Sequence, residues 1–246
     1  MSLPLRFAAL GMWLAASLSL LAAEIQPWRA AVERRYHEAH AAWTAAPNSV
    51  SNVWHFARAS FDWADLATNS AQRAAVANEA IHACRAALTH SPDSAPTLYY
   101  LGLNLGELAQ TRGLSALKLV REMETRWLAA RNLDATFDHS GPDRCLGLLY
   151  LDAPGWPASV GSSAKARTHL EQAVAMDGAF PENLLCLAEA EIRWKRPTAA
   201  RKLMEQLDRI WTKAKATWAG PEFDAAWADW QRRRTKARTA LQATAH

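Results

Sequence analysis

An internal repeat limits how this chain can fold more than any other feature. Trp54, Ala57, Arg58 and Phe61 stand at offsets 0, 3, 4 and 7, and the same offsets return as Leu98, Leu101, Gly102 and Leu105. They return again as Asp143, Leu146, Gly147 and Tyr150, and more weakly as Leu184, Leu187, Ala188 and Glu191. The starts are 44, 45 and 41 residues apart. After each comes a second pattern at offsets 0, 4, 7 and 12. It reads Ala80, Cys84, Ala87, Pro92, then Met123, Trp127, Ala130, Ala135, then Ala166, Leu170, Ala173, Gly178. A fourth copy, Ala199, Leu203, Gln206 and Trp211, keeps half of it.

The first set of offsets is one helix face with a small residue where a partner helix can come close. The second is the partner's apolar stripe, ended in two copies by Pro or Gly. Such pairs cannot bury their faces alone and must stack. Composition agrees: 52 Ala and 30 Leu stand against 7 Val and 4 Ile, which leaves too few β-branched residues for a sheet. Twelve Trp supply more burial than a disordered chain carries. An all-α fold is expected, with Pro96, Pro142, Pro181 and Pro221 each falling where a helix begins.

The offsets resemble those of tetratricopeptide repeats, although the period exceeds the usual value of about 34. The excess is expected between the paired helices, around Asn69, Thr111 and Gly161. HEAT-type repeats match the period better but lack the small-residue pattern. The expected organisation is a signal segment over 1–23, a helical cap over 24–52, the repeat array over 53–215 and a C-terminal helical cap over 216–246.

One stretch is more specific. It runs Gly141-Pro142-Asp143-Arg144-Cys145-Leu146-Gly147-Leu148-Leu149-Tyr150, then Ala153-Pro154-Gly155-Trp156-Pro157. Gly161, Lys165-Ala166, His169-Leu170-Glu171 and Phe180-Pro181-Glu182-Asn183 follow. This resembles the T-component (TatT) family of tripartite ATP-independent periplasmic (TRAP) transporters, over about Ser140 to Lys195, as does Ala116-Leu117-Lys118. The resemblance implies an exported helical protein, not an enzyme and without a cofactor, that associates with the periplasmic solute-binding protein of such a transporter. Members are often lipoproteins, and here no Cys follows the leader.

That leader is Met1 to Ala23: a weakly positive start, an uncharged apolar run from Phe7 to Leu21, and small residues before Glu24. It has the layout of a cleaved secretory signal and is short for a retained anchor, so a periplasmic location is expected. A net charge of +4 over the whole chain predicts no nucleic-acid binding. Cys84, Cys145 and Cys186 lack CxxC spacing and leave one unpaired, so each is expected as a buried small hydrophobe.

In tetratricopeptide geometry the concave surface is lined by first-helix positions one, five and eight after each start. Those are His55, Ala59, Asp62; Tyr99, Leu103, Gly106; Arg144, Leu148, Leu151; and Leu185, Glu189, Ile192. This lining is mostly apolar and suggests either a cavity for a small apolar or anionic amphiphilic ligand, or a groove plugged by the terminal helices, Trp28 to Ala46 and Pro221 to Ala243. The candidate ligand- or partner-binding residues are Arg144, Tyr99, Leu103, Leu148, Leu185, Glu189 and Trp156. Arg144 either pairs with Glu189 or receives an anionic group. Trp156, between two prolines, belongs to a loop, as a cap on the core or as the rim of a partner site.

Other chemistry finds little support. His37 and His40 are one turn apart without a third metal ligand, and Gly161-Ser162-Ser163-Ala164-Lys165 lacks the first glycine and strand of a phosphate loop. The basic run Arg232, Arg233, Arg234, Lys236 and Arg238 reads as a solvated helix face or as a contact for anionic lipid or an acidic partner. Two function classes remain: an adaptor docking onto a TRAP solute-binding protein, and a general tetratricopeptide scaffold for another cell-envelope complex. An uncovered apolar face would favour a homo-oligomer.

Overall fold

Most helices of the array begin at a capping side chain or a proline. Ser49, Asn69, Ser94 and Ser162 accept from backbone N–H groups at the starts of α2 (Val50–Asp65), α3 (Ser70–His90), α4 (Ala95–Ala109) and α7 (Ser163–Met176). Pro181 and Pro197 open α8 (Pro181–Arg193) and α9 (Pro197–Thr217), where a missing N–H costs nothing. A short 3-10 turn, Gly113–Ala116, leads into α5 (Leu117–Leu133), and α6 is Phe137–Asp152. Helix α1 spans 28–45 and α10 is Asp224–Ala243. The structure, a computed structural model, describes residues 28–243 apart from the side chain of residue 114; the expected signal segment lies outside them.

The helices pair as α2·α3, α4·α5, α6·α7 and α8·α9, and each first helix also packs on the next, α2 on α4, α4 on α6 and α6 on α8. This is the stacked superhelix that the offsets require. The small-residue positions work as read. A Cβ on Gly102 would stand 2.3 Å from Trp127 Nε1, and one on Gly147 would stand 2.5 Å from Leu170 Cγ. The Trp127 indole lies across Gly102 and donates to the Tyr99 carbonyl at 3.1 Å.

Two details correct the sequence reading. In the first unit the buried quartet is Val53, Phe56, Ala57 and Ser60, all 0% exposed, while Arg58 is exposed. The true register is one residue earlier than Trp54, which hands the small-residue role to Ala57. The excess length is also placed differently there. Only Leu66 to Asn69 separates α2 from α3, and the added residues go into the 21-residue α3. In the second and third units the long connections are as expected.

Pro142 follows three residues with left-handed backbone, Asp138, His139 and Ser140, so the right-handed part of α6 starts beside the proline. Pro221 lies in the turn before α10, not at a helix start. A large core runs through the first three units, and a second joins the fourth unit to α10. Helix α1 closes the other end: Trp43 stacks on Phe56 with centroids 4.6 Å apart, and Val32 packs with Trp63 and Val76. Cys84, Cys145 and Cys186 are free thiols buried in α3, α6 and α8.

Candidate functional site

The inner faces of α2, α4 and α6 enclose a cavity of about 580 Å³, flanked by α1 through Trp28, Val32 and Arg35 and by α10 through Ala226, Asp229 and Trp230. The terminal helices therefore divide the concave face. Over the fourth unit, α10 seals it: Leu185 is fully buried and Ile192 packs in the α10 cluster. Over the first three units they form side walls and leave the space between them open.

The mostly apolar lining expected from the repeat positions is not what surrounds this space. Carboxylates of Asp62, Asp65, Asp138, Glu182, Glu222 and Asp229 line it, with guanidiniums of Arg35, Arg58, Arg144 and Arg232. The one-residue register correction explains part of this, because it turns Arg58 and Phe61 inward. The rest comes from the flanking helices and the turn before Pro142. Aromatic rings, including Phe61, Tyr99, Tyr100 and Phe180, supply the apolar wall.

At the α6 side, the left-handed turn organises a charged network. Asp138, His139 and Ser140 have φ of 50°, 56° and 62°. Each costs about 1–2 kcal/mol for an L-residue, so the turn needs support from its surroundings. Arg144 provides it. Its Nη1 donates to the His139 carbonyl at 3.1 Å, and its Nη2 donates to the Asp138 carbonyl at 3.2 Å and to Asp138 Oδ2 at 3.1 Å. Nη1 also reaches Asn183 Oδ1 at 2.9 Å, and Nε lies 3.7 Å from Glu182 Oε2. Burial opposes the charge on Arg144, but Glu182, Tyr99 and Asp138 outweigh it and hold the guanidinium well above its ordinary pKa. The Tyr99 hydroxyl donates to Asp138 Oδ2 at 2.6 Å, and burial together with that carboxylate pushes its pKa well up.

Arg144 is thus committed on every nitrogen, and not to Glu189. The expected Arg144–Glu189 pair does not form, because Glu189 is taken by Arg233 of α10 at 2.7 Å and 3.0 Å. Of the seven sequence candidates, Arg144, Tyr99, Leu103 and Leu148 line the cavity. Leu185 is core, Glu189 docks α10, and Trp156 stands apart on the α6–α7 loop, 88% exposed. Trp156 therefore does not cap the core.

Charges at the α2 side are different. Arg58 and Asp62 are one turn apart, and Arg35 faces them from α1. Among the described residues none of these three side chains makes a hydrogen bond or an ion pair of 4 Å or less. Burial pushes the Asp62 carboxyl up to about 6 against the pull of Arg58 and Arg35. Arg58 escaped the sequence reading as a cavity residue, although its intrusion at a small-residue position was the available signal.

The basic run is not an open patch. Arg234 and Arg238 share Asp208 of α9, at 2.6 Å and 2.7 Å, Arg233 pairs with Glu189, and Arg232 pairs with Asp229. Most of the run fastens α10 to α8 and α9. His40 is tied to Glu79 of α3 at 2.9 Å, while His37, one turn earlier, is exposed. Among the described residues no group of three or more His, Cys, Asp or Glu is placed to hold a metal ion, and no helix is long and apolar enough to cross a membrane.

The fold defines a class: an all-α, tetratricopeptide-like superhelix of four helix pairs with flanking terminal helices. The chain is similar to a thermophilic tetratricopeptide repeat protein of Thermus thermophilus, known from a crystal structure. The TM-score is 0.59 at 16% identity, covering 91% of this chain and 96% of that one. No protein-family model and no curated protein matches the sequence.

Proposed function

We propose that this chain is a non-enzymatic helical-repeat adaptor of the periplasm, serving a TRAP-type transport system by docking onto its solute-binding protein and holding a small ligand in the concave cavity. One observation carries the ligand part: α1 and α10 flank the cavity of about 580 Å³ instead of filling it, and that size lies in the range of small-molecule sites. The transport link rests on the resemblance of the Ser140 to Lys195 stretch to the T-component family. Exposed Trp156, on a loop held by the Gly161 N–H donating to the Pro154 carbonyl at 2.9 Å, is the docking anchor we assign.

The test is native co-purification from the periplasm of the source cell with a tag on this chain. Recovery of a solute-binding receptor, lost in Trp156→Ala, is the expected result. Recovery of a different envelope complex, equally sensitive to Trp156→Ala, would favour the general scaffold reading. Exported, processed chain in the periplasmic fraction is expected, and retention in the cytoplasm would overturn the location.

A further inference from the structure

The cavity wall on the α2 side holds charges of both signs that, among the described residues, no side-chain hydrogen bond or ion pair of 4 Å or less engages. Residues one helical turn apart are neighbours on a helix surface, so Arg58 and Asp62 present opposite charges side by side, with Arg35 across from them on α1. On the far wall the charges of Asp138, Arg144 and Glu182 are already joined to one another. Between the two sides stand Tyr99, Tyr100 and Leu103 of α4, an apolar and aromatic surface.

We propose that this cavity binds a compact zwitterion, with its carboxylate on Arg58 and Arg35, its ammonium on Asp62, and its apolar body against the α4 wall. The proposal rests on the cavity being a ligand site, as above, but not on the identity of the docking partner. A simple anion attracted by the two guanidiniums would meet Asp62, and a simple cation attracted by Asp62 would meet Arg58 and Arg35. A molecule carrying both charges avoids either conflict. Burial raises the Asp62 carboxyl to about 6, with Asp138 and Asp65 adding to it, and the two arginines offset this only in part, which leaves its charged form short of positive charge. An ammonium at that point would supply it.

Three probes with one body and different charges test the idea by calorimetry on the full protein: L-phenylalanine, L-phenylalanine amide (cation only) and 3-phenylpropionate (anion only). L-phenylalanine should bind about tenfold or more tighter than either, the effect of one charge-assisted contact. Arg58→Met and Asp62→Asn should each remove about that factor while keeping the parent's helical circular dichroism. L-lysine and glycine betaine extend the series to other bodies. Equal or tighter binding of a singly charged probe overturns the proposal, and so does the absence of binding by all three zwitterions at millimolar concentration. Zwitterion binding without receptor recovery would overturn the docking reading alone.

Discussion

The Nδ2 amide of Asn183 donates to the carbonyl of His139 at 2.9 Å, tying the fourth repeat to the left-handed turn of the third. The same nitrogen also reaches the carbonyls of Ala173 and Asp177, while Oδ1 accepts from Arg144. A fully buried amide whose nitrogen and oxygen are both engaged is expensive to remove. Asn183→Ala should destabilise the protein by about 3 kcal/mol, read as a lower thermal midpoint, because several partners lose their bond at once. A change under about 0.5 kcal/mol would show that the turn supports itself.

Gly102→Ala should be among the most damaging single-atom additions to the chain. Its Cβ meets the Trp127 ring and not a flexible chain end, so α4 and α5 must separate or the indole must leave its bond to Tyr99. About 3 kcal/mol or more is expected from overpacking. Gly106→Ala is the control on the same helix, with only the Met123 methyl 3.3 Å away, and it should be mild. Urea denaturation of the pair gives the comparison.

Arg233 is the principal charged tie of α10 to the array, through Glu189 at 2.7 Å and Glu182 at 3.5 Å. Arg233→Met should cost about 1–2 kcal/mol, since both carboxylates keep some access to water. Hydrogen exchange should rise along α10 and α8 ahead of α2 to α5. Uniform acceleration would mean that α10 does not open as a separate unit.

Asp62 gives a pH dependence of defined sign. Its carboxyl is pushed from 3.8 to about 6 on folding, so the folded protein holds that proton more tightly than the unfolded chain. Stability from this group is greatest below its unfolded value and is lost as pH rises through about 6. Asp62→Asn should therefore gain thermal midpoint relative to the parent between about pH 4 and pH 6, and keep a constant advantage above that. Glu107, raised by burial to about 7, adds a decline of the same sign to both proteins and cancels in the difference.

The repeat was legible because its requirements are steric and local. Gly102, Gly147, Trp127 and Leu170 occupy positions where only a few residue types allow two helices to meet. Register failed in the first unit because Trp54 and Phe61 look like core residues, whereas the quieter Val53, Phe56, Ala57 and Ser60 do the packing. The cavity was harder to read. Tyr99, Leu103, Arg144 and Leu148 follow from repeat geometry, but the left-handed turn has no glycine to announce it. Asp138 enters through that turn, and Trp230 enters from a helix outside the repeat. Asp143 shows the same limit: it stands at an apolar offset, yet it is fully buried because Arg131 and His169 meet it at 2.8 Å and 2.6 Å.

The three buried thiols turn the protein into its own gauge of partial opening. Cys84, Cys145 and Cys186 belong to the first, third and fourth repeats, and burial pushes their pKa up to about 12, about 12 and about 11. Almost no thiolate exists at neutral pH while the helices stay closed, so alkylation must wait for the surrounding repeat to breathe. In a stack whose units contact only their neighbours, the three labelling rates need not agree. Their order would reveal which end of the superhelix loosens first, with no engineered probe in the chain.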